Sequence, residues 1–185
     1  MRSYPNNLRF GISAAACILL AMAILVLPIQ WILAAIIAAA FHEMCHIAAV
    51  YLCGGKISGL RIGGNGAVMD IHAMSRGKEL FCALAGPLGG LLLLLFARWI
   101  PRTAVCAAFH SLYNLLPIYP LDGGRALRCC AERILPLKAD RFCDCVEKGC
   151  LILIGLLAVY AAVFLKLGLM PVLLAAVLYL KVRKA

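Results

Sequence analysis

The sequence predicts an all-α polytopic membrane protein of about six transmembrane helices, with a small β-hairpin between spans two and three. Three observations predict it. The 185 residues are 65% hydrophobic, with a mean hydropathy of +0.99 and only 14% charged residues, well outside the range of soluble globular chains. Apolar runs near the length needed to cross a bilayer, about 20 residues, recur along the chain. Placed as below, those runs leave all of the 18 Lys and Arg except Arg98, Arg102 and Lys166 on one side. This is the positive-inside pattern, which sets the chain in the cell membrane as a multi-pass protein with both termini cytoplasmic. The formal net charge of +10 then points to anionic lipid as the electrostatic partner, and no nucleic acid is expected.

The first span is expected over residues 10–27. Arg2 and Arg9 precede it as in a signal peptide, but the run continues through Pro28 into a second apolar stretch without a small-residue cleavage site, so it reads as uncleaved. Span two covers 30–53. The Gly-rich segment that follows, Gly54–Ile71, alternates polar and apolar residues on either side of Gly63-Gly64-Asn65-Gly66, the pattern of a hairpin closed by a Gly/Asn turn. Spans three to six are expected at 79–97, 103–119, 149–165 and 168–181. Between the fourth and fifth, Asp122 to Lys148 holds six basic and five acidic residues and predicts a cytoplasmic amphipathic helix with a turn near Pro136. The whole chain, 1–185, reads as one integral-membrane domain with no appended module.

The ten cysteines do not read as a disulfide framework. Cys17, Cys45, Cys82 and Cys106 fall in apolar spans, Cys53 at a span end, and the remaining five in or beside a loop assigned to the reducing cytosol. Free thiols fit better than a second zinc site, because the spacing matches no CxxC pair.

Charged groups inside hydrocarbon cost about 2.5–3.5 kcal/mol each on insertion scales and are functional candidates by default. The second span carries His42-Glu43-Met44-Cys45-His46. Histidines four residues apart on a helix project from one face and can share one ion, for which zinc is suited. Glu43 would stand beside the open coordination position, placed to take a proton from water whose pKa the metal lowers to about 7. In a soluble helix this pattern is often accidental, whereas in an apolar span three polar side chains in five residues would be buried at high cost without a metal. From Gly54 back to His42 is about 12 helical steps, roughly 18 Å, which sets the motif near mid-membrane.

A catalytic zinc usually takes three protein ligands, and Asp122 is the expected third. It follows Pro117 and Pro120, which break the fourth helix. Broken backbone at membrane depth is tolerated only where it lines protein or a wet cavity. The alternative is that Asp122 merely N-caps a cytoplasmic helix beginning at Arg125.

Taken together, His42-Glu43-xx-His46, Ala85-Gly86-Pro87 opening the next span, and Asn114-Leu-Leu-Pro117 running to Leu121-Asp122-Gly123-Gly124-Arg125 resemble the site-2 protease family of intramembrane zinc metalloproteases. The short layout looks most like the branch containing the sporulation protease that releases a membrane-tethered sigma factor, though that branch often carries a C-terminal nucleotide-sensing domain. The resemblance implies one zinc ion on His42, His46 and Asp122, Glu43 as general base, and Asn114 holding substrate or oxyanion. It implies a membrane-protein substrate and a regulatory membrane partner. One position departs from the pattern: where the family commonly has Asn, four residues after Gly86, this chain has Gly90. Gly86 and Gly90 instead make a small-xxx-small face suited to close helix packing.

Two further elements carry alternatives. The Gly54–Ile71 hairpin could pair with an unwound substrate strand or simply cover the membrane surface. His110 could donate to a metal ligand or be a hydrogen-bonded packing histidine, and His72 reads as a surface-loop residue. Two rival functions remain: a metal or ion transporter, which should spread polar residues over more spans than two, and a client-binding homologue that does not cut.

Overall fold

The structure is a computed structural model that describes residues 9–12, 24, 27–63, 66–71, 74–166 and 168–183. Contacts divide it into two compact units, Met1–Leu112 and Tyr113–Ala185.

In the first unit, helix α1 runs Ile29–Leu52, with Pro28 in extended conformation before it. Its 24 residues span about 36 Å at 1.5 Å per residue, enough for a hydrocarbon core of about 30 Å. Gly54 ends it in the left-handed region (φ 73°), while the Gly54 and Gly55 amides donate to Tyr51 O and Val50 O, both at 2.9 Å. This is glycine's usual role just past a helix C-terminus. The Lys78 ammonium adds a charge-assisted bond to Cys53 O at 2.8 Å, a cation at the negative end of the helix dipole. Ala34, Ala38, His42 and His46, each four residues apart, line one buried stripe of α1. Alanines let a neighbouring helix approach there before the histidines are reached.

That neighbour is α2, Arg76–Leu92, extended by a 3₁₀ turn at Leu93–Phe96. Its buried face is Cys82, Ala83, Gly86, Pro87, Gly89 and Gly90, almost all of it small. Helix α3 follows over Pro101–Asn114. It stops five residues short of the end expected for span four, because Pro117 lacks an amide proton and disfavours helix in the residue before it.

Three strands complete this unit in the order β1 (Arg9–Ile12), β2 (Ile57–Gly63), β3 (Gly66–Ile71). β2 and β3 pair antiparallel, Leu60 opposite Met69 and Gly63 opposite Gly66, with an irregularity between Ile57 and Gly59. β1 lies parallel to β2, Arg9 opposite Gly59. Residues 10–12, expected to open the first span, are therefore strand. The rest of that span lies largely outside the described residues, as does His72.

The second unit contains α4 (Asp122–Ile134), α5 (Ala139–Val163) and α6 (Met170–Arg183). The amphipathic α4 and the turn at Pro136–Lys138 lie where the charge pattern predicts them. α5 begins ten residues before the expected fifth span: Asp140, Arg141, Asp144, Glu147 and Lys148 are compatible with helix, and their charge bears on membrane depth rather than on secondary structure. Ile118, Leu121 and Leu178 form the core, with Leu116, Leu151 and Ile154 packed around them.

Among the described residues three helical stretches, Ile29–Leu52, Arg76–Phe96 and Ala139–Val163, are long and apolar enough to cross a membrane. Only 6% of the most apolar window of α5 is buried within the protein. Leu153, Leu156, Leu157 and Val163 face outward, as they would towards lipid.

Candidate metal centre

His42 stands near the middle of α1, buried to 2% exposure, and His46 one turn later is 7% exposed. Their Nε2 atoms are 3.1 Å apart, with the rings edge to face at a centroid distance of 4.8 Å. Two nitrogens bound to one zinc at 2.0–2.1 Å with tetrahedral geometry would lie about 3.3 Å apart. The pair therefore fits a shared ion with an adjustment of a few tenths of an ångström.

The orientation of His46 is fixed from α2. Its Nδ1 lies 2.7 Å from Cys82 O. A carbonyl can only accept, so Nδ1 carries the proton and the neutral ring presents a lone pair at Nε2. This is the arrangement that orients metal-binding histidines and raises their basicity. α2 can come close enough to supply that carbonyl because its facing residues lack side chains. A Cβ at Gly86 would collide with His46 Nε2, and one at Gly89 with Cys45 Sγ. The sequence marks Gly86 and Gly90 as a packing face, and the structure adds that Gly86 packs on the His46 nitrogen that faces His42.

Glu43, half-buried, is next to His42 in the same turn. His110, on α3, sets its ring edge-on against His42 at 4.6 Å between centroids. The structure thus brings His42, His46 and His110 together, with Glu43 beside them. Ser111, one residue further along α3 and 0% exposed, drew no notice in the sequence because a serine within an apolar run carries no motif.

In the second unit, Asp122 is 8% exposed and opens α4 as its first residue. Leu121 is the N-cap, with no side-chain capping bond, and Asp122 stands in the first turn of the helix. The positive end of the helix dipole and Arg125, 4.0 Å from Oδ1, lie beside the carboxylate. The chain reaches Asp122 through an irregular stretch from Leu115 to Leu121 containing a cis Tyr119–Pro120 peptide. That stretch wraps over the next two residues: a Cβ at Gly123 would strike the carbonyls of Leu115 and Leu116, and one at Gly124 the backbone of Ile118 and Tyr119. The wrap is held by the Tyr119 amide donating to Glu147 Oε2 at 3.0 Å and by Arg128 stacked 5.4 Å over the Tyr119 ring. Asn114, half-buried, is the last residue of α3.

The Peptidase M50B-like family matches residues 15–121, a stretch that takes in the His42–His46 motif, Gly86 and Asn114. The chain belongs to that family. This M50B-like peptidase is also similar in structure to the site-2 protease from Methanocaldococcus jannaschii, with a TM-score of 0.65 and 19% identity over 92% of this chain and 85% of that one. No curated protein matches it. The M50B-like peptidase is accordingly an intramembrane metalloprotease with the fold of a site-2 protease.

Proposed function

We propose that this metalloprotease cuts a peptide bond of a membrane-spanning or membrane-tethered protein by means of one zinc ion held by His42, His46 and Asp122, with Glu43 as general base. The observation that carries the reading is the 3.1 Å approach of the two imidazole Nε2 atoms, one of them freed for coordination by the bond from His46 Nδ1 to Cys82 O. Asp122 is the third ligand of this proposal: it is a buried carboxylate at the start of a helix, of the chemistry that completes a His₂-carboxylate set.

Zinc bound there supplies Lewis-acid polarisation of the scissile carbonyl and lowers the pKa of water into the neutral range. The remaining steps belong to the protein. Glu43 takes the proton of the attacking water and later delivers it to the leaving amine. Asn114 donates to the substrate backbone, and the ring of His110, packed on His42, helps to hold that ligand's orientation. β3, which has one neighbour among the described residues, offers its other edge to an unwound substrate segment by strand addition. The chain acts as one membrane-embedded domain of six spans, with both termini in the cytoplasm and water admitted from that side. Its resemblance to the sporulation branch supports a membrane-tethered transcription or sigma factor as substrate and a membrane protein as regulator.

The test is Glu43→Gln. It should abolish cleavage of a membrane-tethered reporter while leaving one zinc per chain by elemental analysis. Continued cutting by the purified variant would remove Glu43 from its role.

A further inference from the structure

Ser111 has a buried hydroxyl, 0% exposed, whose Oγ has no hydrogen-bond partner among the described residues. Even the carbonyl of Ala107, four residues back and the usual recourse of a helical serine, is not engaged. An unmet buried hydroxyl carries a desolvation cost of about 1–3 kcal/mol. Alanine would avoid that cost and extend the helix better, and the hydroxyl is left open to a partner from outside the chain.

Its position says where. A Cβ at Gly90 would collide with Ser111 Oγ, as a Cβ at Gly86 would with His46 Nε2. Gly86 and Gly90 are four residues apart on one face of α2, about 5–6 Å by helix geometry. Ser111 Oγ therefore meets α2 one turn beyond the place where the metal-ligating nitrogen meets it. The neighbouring residue, His110, touches His42. Two independent elements thus put the hydroxyl beside the histidine pair. It occupies the space that a side chain at Gly90 would fill.

The polar atom placed beside it at Gly90, Ala107 O, can only accept, whereas the hydroxyl can donate. A substrate segment unwound at membrane depth brings the matching need, because its freed carbonyls are costly in an apolar setting unless a donor meets them. We propose that Ser111 is a substrate-binding residue, its Oγ–H donating to a peptide carbonyl of the chain laid beside His42 and His46. This rests on the metal-centre reading above.

The test uses the full chain, purified with zinc, and two probes. Leucyl-leucine hydroxamate carries both a metal-chelating group and peptide carbonyls, whereas acetohydroxamate carries the chelating group alone. Ser111→Ala should weaken the peptide hydroxamate about 5–10-fold, as loss of one net hydrogen bond implies, and leave acetohydroxamate within twofold. Its thermal midpoint should be no lower than that of the wild type. Gly90→Ala, which pushes the hydroxyl aside without removing it, should weaken the peptide probe similarly and add nothing on top of Ser111→Ala. Unchanged affinity for the peptide probe, equal weakening of both probes, or a loss of affinity that follows a fall in thermal midpoint overturns the assignment. Zinc content is measured on the same samples, so a failure of the metal centre shows as a metal-free wild type, distinct from a failure of Ser111.

Discussion

Replacing Gly86 by alanine adds one methyl group against the nitrogen of His46 that faces His42, the proposed metal-binding atom. Carbon and nitrogen atoms rest about 3.5 Å apart or more, so the ring must retreat by about an ångström. Coordination tolerates only about 0.2 Å. The ring cannot swing freely, because its other nitrogen is fixed 2.7 Å from Cys82 O on the same helix that carries the new methyl group. Retreat therefore loses that bond, about 1 kcal/mol or more, together with the metal contact. Outer-shell changes alone cost 10–100-fold in metal affinity, and displacing a ligand should reach at least about 100-fold. The assay is competition for zinc against a chromophoric chelator in detergent, alongside cleavage of a tethered reporter. Gly77→Ala, on the same helix with nothing within 4 Å of the added carbon, is the control and should keep both metal and activity. If Gly86→Ala binds zinc as tightly as wild type, helix α2 does not constrain His46 in the way described.

The second unit gives two more tests. Asp122→Asn, nearly isosteric, should lower zinc affinity about 100-fold and abolish cleavage if the carboxylate is a ligand, whereas a wild-type zinc titration would exclude it. Gly124→Ala puts a carbon against the backbone of Ile118 and Tyr119, which cannot turn away as a side chain can. It should cost about 1–3 kcal/mol, read as a lower thermal midpoint, while Gly149→Ala, which meets nothing within 4 Å, should not.

Much of the site was legible because it is written in residue types that membranes penalise. Three polar residues in an apolar helix, His42, Glu43 and His46, single out the place where His42 and His46 meet at Nε2, and Pro117 and Pro120 announce a broken helix before Asp122. What the sequence could not convey is what each small residue makes room for. Gly86, Gly89 and Gly90 read alike in one dimension, yet they accommodate an imidazole nitrogen, a thiol and a hydroxyl. Ser111 and the carbonyl of Cys82 were equally silent, the first because a single hydroxyl disturbs hydropathy little, the second because every residue has a carbonyl. The strand at Arg9–Ile12 was missed for a related reason: four residues next to an apolar run look like its beginning until a partner strand 50 residues away is in place. The early start of α5 shows that charge marks the membrane boundary and not the helix boundary.

The bond from His46 to Cys82 has a consequence for how the enzyme could vary and be controlled. Where a metal ligand leans on an aspartate, one substitution can free it. Here the support is main chain, which no substitution at residue 82 removes and which moves only with its helix. A slide of α2 by a single residue rise, 1.5 Å, would withdraw the acceptor and release the imidazole to its other tautomer. The orientation of the His46 ring is thus tied to the axial position of helix α2 and to no side chain on it.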